Sequence, residues 1–143
     1  MDILKLENQL CFPLYALSRV ITAHYKPLLA KIELTYPQYL VMLVLWEHKT
    51  LSVKDLGEKL MLDSGTLTPL LKRLEEKVLV RRERSKIDER MVFISLSDKG
   101  LALKQLAAQI PYDLACSLDL SEAELVSVKN IIFGLLEKTK KEI

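Results

Sequence analysis

No stretch of this sequence is long and apolar enough to cross a bilayer: the longest apolar run, Tyr39 to Trp46, falls far short of the roughly 20 residues a spanning helix needs. The opening residues MDILKLENQL lack both the basic region and the small-residue cleavage site of an export signal, so a soluble cytoplasmic protein with no membrane partner is expected. Glycine and proline are scarce, at four and five residues, and no low-complexity run appears, which excludes a linker-rich or disordered chain and favours a helix-rich fold. There is no glycine-rich phosphate loop, no nucleophile elbow and no carboxylate pair that sequence alone can bring together. His24 and His48 share no ligand spacing with the cysteines or acids, so no metal or other cofactor is expected. Only two cysteines, Cys11 and Cys116, are present; in a reducing compartment a permanent staple is not expected, and their reactivity becomes the question.

What is there is one domain's worth of chain, 143 residues, half of them apolar. The net charge of +2 hides an asymmetry, because Lys72 to Arg90 holds eight basic and five acidic side chains, leaving the rest of the chain slightly negative. Apolar spacing predicts a long helix over about 8–32, with Asn8 as cap, Cys11 in the first turn and a kink or early end at Pro27. Thr35 caps a second helix running through Trp46, apolar nearly all round and therefore the most buried. Ser52 and Asp55 suggest a capping box for a third helix, Val53 to Leu60. Asp63 or Ser64 caps a fourth, whose inner face is Leu67, Leu70, Leu71, Leu74 and Val78 and whose Pro69 implies a loose first turn or a start near Thr66. Leu79–Arg84 and Met91–Leu96 alternate as a two-stranded hairpin with Ser85 to Arg90 at its tip. Ser97 then caps a helix bent by Pro111, and Ser121 with Glu124 opens a last helix ending in Lys138, Lys140 and Lys141.

The segment Leu51–Gly100 therefore has the pattern of a winged helix-turn-helix: two short helices, a tight connection, then a charged hairpin. A recognition helix needs short hydrogen-bonding side chains near its N-terminus and cations further along, because base edges lie deep in the major groove and phosphates line its rim. Ser64, Thr66 and Thr68, beside Pro69, suit the first role, and Lys72 and Arg73 the second. An ordinary amphipathic helix would also have such a polar face. The wing adds weight: its tip carries Lys86 and places Asp88 two residues before Arg90, where a carboxylate can orient a guanidinium for a narrow minor groove. Helix, hairpin and local basic bias together point to double-stranded DNA.

The run Asp63-Ser64-Gly65-Thr66-Leu67-Thr68-Pro69-Leu70-Leu71-Lys72-Arg73-Leu74-Glu75, with Asp88-Glu89-Arg90 and Ser95-Leu96-Ser97-Asp98-Lys99-Gly100, resembles the MarR family of dimeric winged-helix repressors. Leu10-Cys11-Phe12, Tyr25-Lys26-Pro27-Leu28-Leu29 and Thr35-Tyr36-Pro37-Gln38-Tyr39-Leu40 resemble its branch that senses organic hydroperoxides. The resemblance implies a mainly α fold with a small β-hairpin wing, one domain over 1–143 with dimerisation helices about 8–32 and 98–142 around a winged helix-turn-helix about 35–97. It further implies a homodimer built from the N- and C-terminal helices, a pseudo-palindromic operator and an organic hydroperoxide as oxidant.

For the thiols, position supplies one argument: a cysteine in a helix's first turn faces the positive end of the dipole, which favours the thiolate that peroxides attack. By itself this leaves open that Cys11 is a small apolar residue between Leu10 and Phe12. In the branch it resembles, tyrosines hydrogen-bond the reactive thiol, and the matching positions are Tyr15, Tyr25 and Tyr36. Cys116 resembles the second thiol of members in which it resolves the sulfenic acid across the dimer. The expected function is a repressor, not an enzyme, released from DNA by oxidation of Cys11. A repressor released by a small aromatic ligand, and a thiol peroxidase using Cys11 and Cys116, are the alternatives.

Overall fold

The computed structural model describes residues 2–140, which group into two compact units. One unit is Tyr25–Ala108; the other joins the residues up to His24 with those from Gln109 onward. The first unit contains the C-terminal end of α1 (Cys11–Ala30), then α2 (Tyr36–His48), β1 (Thr50–Ser52), α3 (Val53–Leu60), α4 (Ser64–Glu76), β2 (Val80–Arg84), β3 (Val92–Leu96) and α5 (Asp98–Ala107). Its core is Leu29 from α1, Tyr39, Val41, Met42 and Leu45 from α2, Leu56 from α3, Leu67, Leu71 and Leu74 from α4, and Ile94 from β3. Burial of each large apolar side chain contributes about 2 kcal/mol, and α2 supplies more of them than any other helix, as its all-round apolar sequence predicts.

The starts of α2, α3, α4 and α5, and of the last helix at Glu122, follow their capping residues. Thr35 accepts the Gln38 N–H while Gln38 Oε1 accepts the Thr35 N–H, a full capping box. Ser52 Oγ accepts the Asp55 N–H at 3.0 Å, but no return bond from the Asp55 carboxylate is made; aspartate is one methylene shorter than the usual glutamate. Asp63, rather than Ser64, caps α4, accepting the Thr66 N–H at 2.7 Å. The helix ends must manage without glycine, since no glycine has positive φ. Glu33, Met61 and Val78 take the left-handed position instead, at φ of 55°, 54° and 61°. At each, the following N–H reaches back five residues, as in Leu79 to the Leu74 carbonyl at 3.0 Å, the bond of a Schellman motif.

Several boundaries differ from the sequence expectation. Asn8 does not cap α1; it closes a short 3-10 helix, Leu6–Asn8, and its side-chain amide donates to the Asp2 carbonyl. Pro27 lies inside α1, which continues to Ala30. Pro69 likewise leaves α4 regular from Ser64, with the Thr68 hydroxyl donating to the Ser64 carbonyl at 2.8 Å beside the missing bond. Val78 is exposed in the turn after α4 rather than on its inner face. The sheet has three strands, not two: β1 adds antiparallel to β3, giving the order β1-β3-β2 with Leu51 opposite Ile94 on one side and Arg82 opposite Ile94 on the other. That third strand gives the hairpin the lateral support a two-stranded ribbon lacks.

The second unit holds the start of α1, α6 (Ile110–Leu118) and α7 (Glu122–Thr139). The helix expected to bend at Pro111 instead ends at Ala107, and a new helix begins at Ile110 with Pro111 in its first turn, where the missing N–H costs little. Ser121 and Glu124 form the expected capping box of α7; Lys141, expected near its end, lies outside the described residues. His24 Nδ1 is 3.2 Å from Ser117 Oγ, joining α1 to α6. Ile110 is the one buried apolar side chain of this unit among the described residues, while Leu10, Phe12, Leu14, Leu17, Val20, Ile131 and Phe133 are exposed.

One joint in the first unit carries a sharp prediction. A Cβ built on Gly100 would stand 2.1 Å from the Leu79 carbonyl oxygen, and this close approach lets Trp46 Nε1 donate to the Gly100 carbonyl at 2.8 Å. Gly100→Ala should destabilise the protein by about 2 kcal/mol or more, because backbone rather than a flexible side chain must move. Val78→Gly should stabilise it by about 1 kcal/mol, removing the strain of a β-branched residue at positive φ. Urea denaturation of both variants checks the opposite signs.

Candidate nucleic-acid interface and thiol site

The polar face of α4 is where the sequence places it. Ser64, Thr66, Thr68, Pro69, Lys72 and Arg73 are all exposed. Asp63 sets this face by holding the first turn: the Thr66 backbone N–H, then its hydroxyl, keep the Asp63 carboxyl below the usual range, so the cap stays charged at neutral pH. The first turn of α4 opens onto a groove of about 860 Å³ whose walls come from α3, α4 and the hairpin. Ser64 and Thr68 line it from α4, Lys54 and Glu58 from α3, and Arg82, Arg90 and Val92 from the wing side.

The wing tip is a folded turn. The Ser85 hydroxyl accepts the N–H groups of Ile87 and Asp88, the Ser85 N–H donates to the Met91 carbonyl, and Met91 donates back to Asp88. Asp88 Oδ1 accepts the Arg90 backbone N–H at 3.1 Å, while the Arg90 Nε is 3.9 Å away. Asp88 therefore orients Arg90 chiefly through its backbone, and the guanidinium projects with its side chain 95% exposed. Lys86 is exposed on the same tip. Arg82 and Lys54 were not singled out by sequence reasoning. The signal was in the alternation: Val80 is buried, so Arg82 two residues on shares its face of the strand and looks toward α3 and α4.

Cys11 is the first residue of α1 and is exposed. Tyr15 and Arg19 follow at four-residue steps along one helix face, with the Arg19 guanidinium 5.5 Å from the centre of the Tyr15 ring. Cys116, also exposed, lies in the last turn of α6, where its carbonyl accepts the Asp119 N–H. Tyr25 and Tyr36 belong to the other unit. Their ring centres are 4.8 Å apart, and Tyr25 is also 5.8 Å from Tyr39. Burial first, and then the neighbouring Tyr36 and Tyr39 phenols, push the Tyr25 hydroxyl up to about 12, so it is a firm proton donor at neutral pH. Among the described residues no group of three His, Cys, Asp or Glu side chains is placed to hold a metal ion, and no helix is long and apolar enough to cross a membrane.

A three-stranded wing packed behind an exposed, polar, N-capped helix defines the class: a winged-helix DNA-binding protein. The family model described as transcriptional regulator SarA/Rot matches residues 23–106. The chain is 54% identical, over 95% of its length and 92% of the relative's, to the organic hydroperoxide resistance transcriptional regulator of Bacillus subtilis. Among solved structures it resembles reduced AbfR bound to DNA, at 37% identity, 95% and 92% coverage and a TM-score of 0.79. The disulfide form of AbfR, a Staphylococcus epidermidis protein, gives 38% identity, 95% and 90% coverage and a TM-score of 0.62. The chain belongs to the MarR family of winged helix-turn-helix transcriptional regulators and resembles its organic-hydroperoxide branch. It is thus a transcriptional regulator and not an enzyme.

The tyrosine cluster yields a pH prediction. The folded Tyr25 holds its proton to about 12 against 10.0 for an ordinary phenol, so folding binds that proton more tightly than the unfolded chain does. Its contribution is complete below pH 10 and is lost between about pH 10 and 12. Phenolate absorbance should show at least one tyrosine ionising well above the others, and the urea midpoint should fall across that interval; Tyr25→Phe should abolish the late step.

Proposed function

We propose that this chain is a homodimeric repressor that leaves a pseudo-palindromic DNA operator when an organic hydroperoxide oxidises Cys11. What carries the reading is an exposed cysteine at the first residue of α1 in a chain 54% identical to an organic hydroperoxide resistance regulator. The Cys11 thiolate attacks the peroxide's terminal oxygen, the O–O bond breaks, and an alcohol leaves as Cys11 becomes a sulfenic acid. Tyr15, Tyr25 and Tyr36 are the hydroxyls assigned to hold the thiolate and its transition state. Cys116 of the partner subunit then attacks the Cys11 sulfur, forming a disulfide and releasing water, with Cα atoms brought within about 7 Å. A disulfide form of the 38% identical AbfR supports this second step.

The exposed apolar side chains of α1, α6 and α7 support the dimer, since Leu14 and Leu17 on α1, Tyr112 on α6 and Ile131 and Phe133 on α7 are a liability in water that a second copy would remove. DNA contact falls to Ser64, Thr66, Thr68, Pro69, Lys72 and Arg73 on the recognition helix and to Lys86 and Arg90 on the wing, with Asp88 in support. Because the redox groups and the DNA-contact groups lie in different units, release requires the disulfide to reposition the winged helix-turn-helix. The cytoplasm is the compartment in which such a regulator meets DNA.

Gel shifts test the assignment, using a duplex that the wild-type protein selects from a random pool. Wild type should bind and be released by cumene hydroperoxide. Cys11→Ser should bind and ignore it; release of that variant would remove Cys11 as sensor. Cys116→Ser should lose the crosslinked dimer on non-reducing gels, and a persistent band would contradict the inter-subunit bond. Arg73→Ala and Arg90→Ala should weaken binding and flatten its salt dependence.

A further inference from the structure

The groove between α4 and the wing is chemically unlike the faces on either side of it. Its apolar lining is Met61, Leu62, Leu67, Met91 and Val92, while its charged lining is Lys54, Arg82 and Arg90 against the single carboxylate of Glu58. Arg90 is engaged with Asp88, but neither Lys54 nor Arg82 has an acidic partner within 4.0 Å among the described residues. Arg82 is held by the sheet rather than by a loop. It sits in the centre of β2, in register with the fully buried Ile94, so its backbone is fixed while its side chain lines the groove. An unpaired guanidinium on a paired strand, in a groove with apolar lining, suits an oxyanion attached to a sugar.

From this we infer that the groove is a clamp for one sugar-phosphate strand of duplex DNA, with Arg82 as its phosphate-binding side chain. The inference rests on the DNA-binding reading above and adds a site to it. The geometric reason is general. When α4 occupies the major groove and the wing tip the adjacent minor groove, the strand separating those two grooves must pass between helix and wing. Ser64 and Thr68 line that passage from α4 and Arg90 from the wing, and Arg82, which lines it from β2, would meet the phosphates of the strand running through it. Its role is therefore blind to sequence, unlike that of α4, and sets the spacing between the two elements by gripping what lies between them. Lys54 assists from α3, and Glu58 repels the strand from that end of the groove, biasing the phosphate toward Arg82.

Titration of duplex binding against salt separates this from its rivals. Two probes are used: the duplex selected by wild type from a random pool, and a scrambled duplex of the same length and composition. Arg82→Gln should weaken both by the same factor, about 10-fold near 0.1 M salt, and lower the slope of log affinity against log salt by about 0.9 on each. Arg82→Lys should keep the wild-type slope, and Glu58→Gln should tighten both probes. Thermal melting of each variant guards against a folding defect; if Arg82→Gln melts early, the Arg82→Lys slope together with Glu58→Gln decides. An unchanged slope for Arg82→Gln, or a loss confined to the selected duplex, overturns the clamp while leaving the DNA-binding reading intact. Wild-type protein that binds neither duplex at any salt takes down both.

Discussion

The winged helix-turn-helix depends on a knot of main-chain contacts around Ser97 and Gly100. The Ser97 hydroxyl donates to the Val78 carbonyl at 2.6 Å and accepts the Gly100 N–H, and the Ser97 N–H donates to the Leu79 carbonyl. Trp46 reaches the Gly100 carbonyl from α2, Lys104 returns to the Trp46 carbonyl, and Lys99 bonds the Lys77 carbonyl. Residues distant in sequence, at the end of α4, the base of the wing, α2 and α5, are thereby tied at one point. Recognition helix and wing are the two parts that must meet DNA together, and this knot is what fixes one against the other. Only a residue without a Cβ fits at position 100, because the Leu79 carbonyl already occupies that space.

Scarcity of glycine has a structural echo. Three of the turns that aim helices in this unit end in left-handed residues with side chains, Glu33, Met61 and Val78. Met61 and Val78 flank α4 on either side, the one before it and the one after, so the strained positions bracket the recognition helix. Both side chains are exposed, which avoids adding a packing penalty to the backbone strain. No physical reason for valine in particular at position 78 is found in its surroundings.

The two cysteines and the winged helix-turn-helix are separated along the chain. The unit Tyr25–Ala108 has the buried core and contains no cysteine; Cys11 and Cys116 both lie in the unit with little core of its own and many exposed apolar side chains. Under the proposed thiol switch, a well-packed DNA-binding unit beside a weakly packed one carrying both cysteines would let a new disulfide reposition the former without unfolding it. α1 contributes residues to both units, Cys11 to one and the core residue Leu29 to the other.

Sequence alone determined the features that are local: the caps at Thr35, Ser52, Ser97 and Ser121, the narrowing of the α4 cap to Asp63 or Ser64, the helices these open, the alternating strands, the polar face of α4 and the exposed Asp88–Arg90 wing tip. Each depends on hydrogen bonds or periodicity within a few residues, which is the range over which a sequence can be read directly. The sequence pattern also carried the family resemblance through the α4 and wing motifs. Tertiary structure alone decided the rest. β1 could not be read as a paired strand, because three residues of Thr-Leu-Ser become one only when β3 offers them partners. Pro27 and Pro69 stayed inside helices because packing of Leu29, Leu67 and Leu71 outweighs one missing hydrogen bond at each. Val78 left the apolar face of α4 because the helix ends at Glu76 and Val78 itself takes the left-handed conformation of the turn into the wing. The groove holding Arg82 exists only where α3, α4 and the sheet converge, and a side chain's value as a ligand there is set by neighbours that its place in the chain does not reveal.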